Sequence, residues 1–423
     1  MRVIYTILLY FLTPLVKFRL YWKARVVPDY GQRVSERFAY FDYSAANNTS
    51  SVWIHAVSLG EVIAAEPMVK ALLATYPTKP IIFTTMTPTG SARVKQVFGK
   101  KVFHVYVPYD LPSVVQRFLT RVNPQVAIFL ETEIWPNIYY YCHQRNIPVI
   151  IANARLSEKS AKGYHRFASL FRQTLANVTT LLAQSKEDAA RFIALGAKPE
   201  NVFIAGNIKF DLNIPEQLDT KSALLKQRWG ELRPVFMAGS THPGEDEKIL
   251  AAFTHIRQQF PTALLLLIPR HTERAKSLIS LSQSAGFNSC LRSHEDQFSS
   301  SMDVIVGDTM GEMMLFYCSA DIAFVGGSLI EHGGQNVLEP AALAIPIVSG
   351  PHVANFAEIC RVMKQQSAII FVENEQELAE SVIDLLKLPD KANRMALRAQ
   401  AVVEKNRGTL ERQLASIQQY ISI

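Results

Sequence analysis

Apolar and polar positions follow different rules in successive parts of this chain. From Val3 to Val16 the run VIYTILLYFLTPLV contains no charged residue, and it ends in the basic, aromatic stretch KFRLYWKAR. Its 14 residues fall short of the roughly 20 that a helix needs to cross a bilayer. It lacks an A-x-A cleavage signal and leads into further positive charge, unlike a signal peptide. Trp22 and the tyrosines 5, 10 and 21 suit the headgroup zone, where an amphipathic ring keeps one end wet. The pattern predicts a membrane anchor over 1–25, interfacial or marginally spanning. The competing reading is a buried N-terminal helix of a soluble protein.

From residue 52 the pattern changes to short apolar runs separated by stretches of helical length. VWIHAV (52–57), PIIFTT (80–85), VFHVYV (102–107), QVAIFLE (125–131), PVIIAN (148–153) and TLLAQ (180–184) predict strands, with VFIA (202–205) after them. VIAAEPMVKALLATY (62–76) predicts a helix between the first two. Apolar strands separated by helices mean a parallel sheet covered on both faces. The second half repeats the pattern with VFMAGS (235–240), TALLLLIP (262–269), DVIVGD (303–308), DIAFVGG (321–327), IPIVSG (345–350) and AIIFV (368–372). Residues 213–234, polar and bounded by Pro215 and Pro234, read as a linker. A helical tail without strands runs from about Glu375 to Ile421.

The fold class is therefore α/β, with two doubly wound, Rossmann-like domains facing across a cleft behind an N-terminal hydrophobic anchor helix. The expected boundaries are 1–25 for the anchor, 26–213 and 214–405 for the two domains, and 406–423 for a C-terminal helix. In such sheets ligands bind beyond the carboxyl ends of the strands, so residues just after each strand are the places to search.

Composition narrows the choice. The chain has 423 residues, 48% hydrophobic and 19% charged, which excludes wholesale disorder. Its four cysteines, Cys142, Cys290, Cys318 and Cys360, never approach C-x-x-C spacing, so a zinc ribbon or dithiol centre is disfavoured and buried free thiols in a reducing compartment are expected. Of the net charge of +7, residues 1–37 carry +5. That is a basic segment on a nearly neutral body and not a nucleic-acid groove.

Chemistry-bearing residues cluster where strands end. In IHAVSLGEV (54–62), Glu61 opens a helix and is a candidate general base. Ser58-x-x-Glu61 is also a capping box, which would seat a glutamate there anyway. A helix N-terminus favours the carboxylate form, so Glu61 is expected to be ionised. FLETEIWPN (129–137) closes a strand with Glu131 and Glu133, which face opposite sides if the strand continues, so that only one of them points into a given site. The competing reading is a solvated strand end. Lys209, in GNIKFD (206–211), is either a cation for a phosphate or a surface lysine.

The stretch VGGSLIEHGGQNVLEPA (325–341) carries two glycine pairs before a helix expected to begin near Asn336, with Pro340 in its first turn. Free N–H groups there would suit an anion, and Glu339 would suit ribose hydroxyls. A structural glycine-rich turn is the alternative. Ser240-Thr241-His242, Pro269-Arg270-His271 and Gly307-Asp308-Thr309-Met310-Gly311-Glu312 follow other strands of the same set. Thr309-x-x-Glu312 is another possible capping box. Any one of these loops is bland, and the four together predict a nucleotide site. There is no G-x-G-x-x-G, P-loop, G-x-S-x-G, H-E-x-x-H or D-x-D pattern. Histidines 55, 271, 332 and 352 read as hydrogen-bonding residues and not as metal ligands.

With SLGE (58–61), TTMTPTG (84–90), PYDLP (108–112), ETEIWPN (131–137), NARLS (153–157), GNIKFD (206–211), PRHTER (269–274), GDTMGEM (307–313) and the glycine-rich stretch in order, the chain resembles the lipopolysaccharide 3-deoxy-D-manno-octulosonate (Kdo) transferases over nearly its whole length. The resemblance implies a GT-B glycosyltransferase fold with an acceptor-binding first domain and a CMP-sugar-binding second one. It implies transfer of Kdo from CMP-Kdo to a lipid A precursor in lipopolysaccharide biosynthesis, at the cytoplasmic face of the inner membrane and against its anionic surface. Neither metal, other cofactor nor nucleic acid is implied. Position by position it makes Glu61 the proton acceptor and Glu131 and Lys209 transition-state stabilisers. Pro269, Arg270, Met310, Gly311, Glu312, Asn336, Val337, Leu338 and Glu339 become nucleotide contacts. The chain departs from the family pattern at Leu59, where Val is usual, and at His332-Gly-Gly-Gln-Asn-Val337, where Arg-Gly-Gly-His-Asn-Pro is usual. Two other classes compete, a GT-B-fold sugar-nucleotide epimerase and a membrane-tethered nucleotide-sugar sensor without chemistry.

Overall fold

The computed structural model describes residues 1–43 and 49–422; residue 423, the last of the expected C-terminal helix, lies outside that range. It divides into two compact units, Met1–Asp211 joined by the segment from Gly408 onward, and Leu212–Arg407.

The first unit opens with helix α1 (Arg2–Ala24), none of whose residues is fully buried. It is long and apolar enough to cross a membrane by length and composition. Behind it lies a seven-stranded sheet of β1 (Ser51–His55), β2 (Ile81–Thr85), β3 (Phe103–Tyr106), β4 (Pro124–Leu130), β5 (Val149–Ala154), β6 (Thr180–Ala183) and β7 (Val202–Ile204). Their spatial order is β3-β2-β1-β4-β5-β6-β7 and every pairing is parallel. The central strands are buried on both faces, which is why they read as unbroken apolar runs. Helix α2 (Leu59–Thr75) follows β1 at once.

The second unit repeats the plan with β8 (Val235–Thr241), β9 (Leu264–Pro269), β10 (Ser289–Leu291), β11 (Val304–Val306), β12 (Ile322–Val325), β13 (Ile347–Ser349) and β14 (Ile370–Phe371). Their order is β10-β11-β9-β8-β12-β13-β14, again all parallel. The β10 segment, SCL, is too short and too polar for its pattern to announce a strand.

The expected linker 213–234 is instead largely a helix, Leu218–Trp229. Leu218, Leu225 and Trp229 recur at helical spacing and are buried, the last two within the core of the second unit. The flanking prolines bound this helix from outside. The chain ends on the first unit, where the Asp211 carboxylate accepts the N–H groups of Gly408 (2.6 Å) and Leu410 (2.5 Å) at the start of the helix Thr409–Gln418.

One buried carboxylate organises the second unit. Glu245 is fully buried and accepts backbone N–H groups from His242 (3.1 Å), Gly327 (2.6 Å), Ser328 (2.9 Å) and Leu329 (2.9 Å). The first glycine pair of the 325–341 loop thus helps wrap a carboxylate of the protein itself, upstream of the helix start where the sequence pattern placed free N–H groups for an anion. Gly350 packs against the same loop so closely that a Cβ there would sit 2.1 Å from the Ser328 carbonyl oxygen.

Removing this carboxylate strands several buried donors, each worth about 1–3 kcal/mol. Glu245→Ala is therefore expected to lower the stability of the second unit by roughly 3–5 kcal/mol. Hydrogen exchange of the peptide spanning 325–341 checks this: protection should fall there while β1–β7 are unaffected, and unchanged protection would show that Glu245 does not hold the loop.

Candidate functional site

At the carboxyl edge of the first sheet, β1 ends in His55 and turns through Val57 and Ser58 into α2. Glu61 sits in the first turn of α2, but the turn is not the reciprocal capping box that the spacing predicted. The Ser58 hydroxyl donates to Glu61 Oε1 (3.1 Å) instead of accepting a backbone N–H, and the carboxyl accepts the Val57 N–H on Oε2 (2.7 Å) beside the Ser58 N–H. Burial pushes the Glu61 carboxyl up to about 7, with the nearby Glu131 charge adding to the rise. The expectation of a simply ionised helix-start glutamate is corrected accordingly: loss of water outweighs the hydrogen bonds from Val57 and Ser58.

The alternation argument for Glu131 and Glu133 also fails. Strand β4 stops at Leu130, and Glu131 takes a left-handed backbone conformation, φ +57°. The chain therefore turns rather than alternates, and both carboxyl groups gather near Glu61. Glu133 is pushed up to about 8 by burial and then by the charges of Glu61 and Glu131, against the Trp135 indole N–H that donates to its Oε2 (3.0 Å). His55 completes this corner. Burial lowers its imidazole to about 4, so it is neutral. Its Nδ1 contacts the Thr84 carbonyl oxygen (3.1 Å), an acceptor only, which assigns the proton to Nδ1. Nε2 is left as an acceptor with no hydrogen-bond partner, 3.9 Å from Glu133 Oε2.

Lys209 lies on a short 3₁₀ turn, Ile208–Phe210, and is not a surface lysine. Burial lowers its ammonium, the Glu131 carboxylate opposes that shift, and Arg155 adds to it. A chain of amides holds this turn. Asn153, in the left-handed region at φ +50°, accepts the Ile208 N–H on its side-chain oxygen (3.1 Å). Gln184 donates to the Asn153 carbonyl (2.9 Å) and accepts from Asn207 (2.9 Å), whose own Oδ1 accepts the Lys209 N–H (3.0 Å). Gln413, from the returning C-terminal helix, accepts the Asn153 N–H (3.1 Å). Sequence reasoning assigned none of these amides a role. The available signal was Asn153, a polar residue inside the apolar strand VIIANA.

The parallel sheet of the second unit brings the loops after β8, β9, β11 and β12 to one edge. Arg270 is near enough to lower the Glu339 carboxyl, which burial otherwise raises. Asn336 donates to Glu339 (3.1 Å) and accepts the Leu338 N–H (3.1 Å), so its side chain occupies the start of the five-residue helix Leu338–Ala342. That helix begins two residues later than expected, and Val337 and Leu338 are buried in the fold. Pro269 is the buried last residue of β9, Met310 is exposed, and Gly311 has φ +81°. Glu312 is committed to Arg292 (2.9 Å) and to the Thr309 hydroxyl, and precedes a helix without capping it. Three histidines meet beside Arg270: the rings of His242 and His332 lie 3.8 Å apart and His271 approaches to 6.1 Å. Partial burial first, then the neighbouring histidine rings and the Arg270 and Arg274 guanidinium groups, lower His242 to about 4.

Two parallel sheets with polar loops along their carboxyl edges define a GT-B-type fold. The same fold is seen in UDP-GlcNAc 2-epimerase from Neisseria meningitidis bound to UDP-GlcNAc, with TM-score 0.56 at 13% identity over 88% of this chain and 99% of that one. Residues 32–212 match the model of the 3-deoxy-D-manno-octulosonic-acid transferase family, and residues 247–402 match glycosyl transferases group 1. The 3-deoxy-D-manno-octulosonic acid transferase of Haemophilus influenzae is 40% identical over 99% of both chains, and that of Bordetella pertussis 33% identical over 99% of both. The chain belongs to the Kdo transferase family.

The raised carboxyl of Glu133 makes a signed prediction about stability. Between about pH 4.5 and 8 the unfolded group is ionised while the folded one holds its proton, so its contribution is full at low pH and lost as pH rises. Glu133→Gln keeps the indole bond and removes that loss. Thermal denaturation should show the variant level with the parent near pH 4.5 and more stable by roughly 5 °C near pH 8.5; equal melting at both would refute the buried-acid assignment.

Proposed function

We propose that this Kdo transferase takes its sugar from CMP-Kdo and passes it, with inversion, to a hydroxyl of a lipid A precursor at the cytoplasmic face of the inner membrane. The observation that supports this most is Glu61: a carboxyl held by the Val57 N–H and the Ser58 hydroxyl and poised near pH 7, where a general base is most effective. The lipid hydroxyl oxygen attacks the anomeric carbon, its proton passes to Glu61, and the bond from that carbon to the phosphate oxygen breaks to release CMP. Glu131 stabilises the positive character that develops at the anomeric carbon, and Lys209 the negative charge of the leaving group. Arg270, Asn336 and Glu339 hold the nucleotide, together with Pro269, Met310, Gly311, Glu312, Val337 and Leu338. No metal or other cofactor enters this scheme. The apolar α1 and the basic charge that follows it support attachment to an anionic membrane that also carries the acceptor.

A positioned base is worth about 10²–10⁴-fold in rate. Glu61→Ala is expected to lose turnover by that factor while retaining CMP affinity. The assay is CMP release from CMP-Kdo with and without tetraacylated lipid A precursor, with the lipid product weighed by mass spectrometry. Lipid-dependent release with added Kdo mass supports the proposal. Donor binding without release would make the chain a sensor, and normal turnover by the variant would return Glu61 to a structural role.

A further inference from the structure

We propose that α1 does not cross the bilayer but lies in its surface, clamped lengthwise to the first unit, so that the membrane covers only its outward side. The uncharged run Val3–Val16 is 14 residues, about 21 Å of helix, against a hydrocarbon core of about 30 Å. Positive charge stands at both ends of that run, Arg2 before it and Lys17, Arg19, Lys23 and Arg25 after it. A spanning helix would have to place Arg2 on the far side, whereas basic residues stay on the side where they were made.

The contacts of α1 point the same way. Its partly covered residues are Arg2, Tyr5, Thr6, Leu9, Thr13, Val16, Leu20, Lys23 and Ala24, a stripe at helical spacing that runs the full length of the helix. Along that stripe Arg2 donates to Asn137 Oδ1 (2.9 Å) and stacks 3.6 Å over the Tyr140 ring. Thr6 exchanges hydrogen bonds with the Asn137 amide (3.1 and 3.0 Å), and the Tyr5 hydroxyl donates to Asp110 (2.9 Å). Leu9 packs on the core of the unit. Lys17 lies 4.7 Å over the Phe38 ring, and the Ala24 Cβ touches the Gly31 position. A helix held along its length by a folded domain cannot also be surrounded by lipid along that length. Between the two lies a cavity of about 80 Å³ lined by Leu9, Thr13, Val16, Tyr109, Leu111 and Trp135 among others.

The opposite side of the helix has nothing polar to offer. Val3, Ile7, Phe11, Leu15 and Phe18 are each at least half exposed. The occupant is an anionic bilayer: the apolar face enters the acyl boundary to about 5–10 Å while the exposed Arg19 and Arg25 meet lipid phosphates. Residues 133–137, which touch the inner side of α1 through Trp135 and Asn137, are thereby set about one helix diameter, some 10–12 Å, from the lipid.

The proposal rests on the membrane-bound reading above but not on the donor or the chemistry, and its test uses no substrate. A cysteine-bearing tag is fused ahead of residue 1 of the full chain, and spheroplasts are treated with a membrane-impermeant maleimide, the untagged chain serving as control. The tag is expected to stay unlabelled until the membranes are opened. Labelling in intact spheroplasts, or recovery of the chain outside the membrane fraction, overturns the proposal. Tyr10 and Ser113, whose hydroxyls lie 3.4 Å apart, supply the second measurement. Tyr10→Cys with Ser113→Cys, treated with a short bismaleimide in the same membranes, should give an intramolecular crosslink in most chains. Its absence would show that α1 leaves the domain, and a dimer-sized product would show that a second copy and not lipid covers the apolar face; either overturns the proposal.

Discussion

Parallel strand pairing is the constraint from which the rest follows. In both units every strand runs the same way as its neighbours, so every connection must return across a face of the sheet and every strand must deliver its next residues to the same edge. Residues 55–61, 131–135 and 207–209 meet on one such edge, and residues 241–245, 269–271 and 326–339 on the other. The same constraint buries the central strands on both faces.

That burial sets the electrostatics of the first edge. Glu61, Glu131 and Glu133 would repel one another as anions, and two of them are dry enough to be driven toward neutrality. Neutral His55, with its accepting Nε2 turned toward Glu133, fits a corner in which Glu133 keeps its proton and Glu61 titrates near neutrality. Lys209 leans the other way, lowered by burial but favoured by Glu131. The edge of the second unit solves the opposite problem. There Arg270 and Arg274 help hold His242 neutral, while Glu245 is bound to backbone N–H groups, so the protein's own anion supports the loop.

How much of this could be read in the sequence depended on the length scale of each signal. Strands such as β4 and β9 announce themselves because full burial leaves only one composition open to them. The helix Leu218–Trp229 was hidden because its apolar stripe holds few residues among many polar ones, and the prolines at 215 and 234 imitate the ends of a linker. Glu61 and Lys209 could be marked as residues after strands, yet their protonation could not, since that depends on water lost to segments far away in sequence. Glu131 was misjudged for a local reason. Alternation holds only while a strand continues, and a non-glycine left-handed residue immediately after Leu130 is not visible in composition. Glu245 was overlooked because a glutamate in Gly-Glu-Asp-Glu reads as solvated surface, and only the fold supplies the glycine-rich loop that encloses it.

Asp110 joins the two ends of the first unit's chemistry. Its carboxyl accepts the Asn137 N–H (2.9 Å) and the Ile138 N–H (2.7 Å), and so caps the helix Pro136–Gln144 that follows Trp135. The same carboxyl accepts the Tyr5 hydroxyl of α1, and Asn137 in turn holds Arg2 and Thr6. Burial raises Asp110 to about 7 against these bonds, so each donor matters to keeping it ionised, and loss of any one pushes it toward protonation. A protonated Asp110 would surrender one of its acceptor positions, loosening either the cap after Trp135 or the grip on α1. The attachment of the N-terminal helix and the placement of the Glu133–Trp135 turn are therefore one equilibrium. Whatever holds α1 in place also holds the turn that carries Glu133, which is a physical reason for the first unit to keep its N-terminal helix docked and not merely tethered.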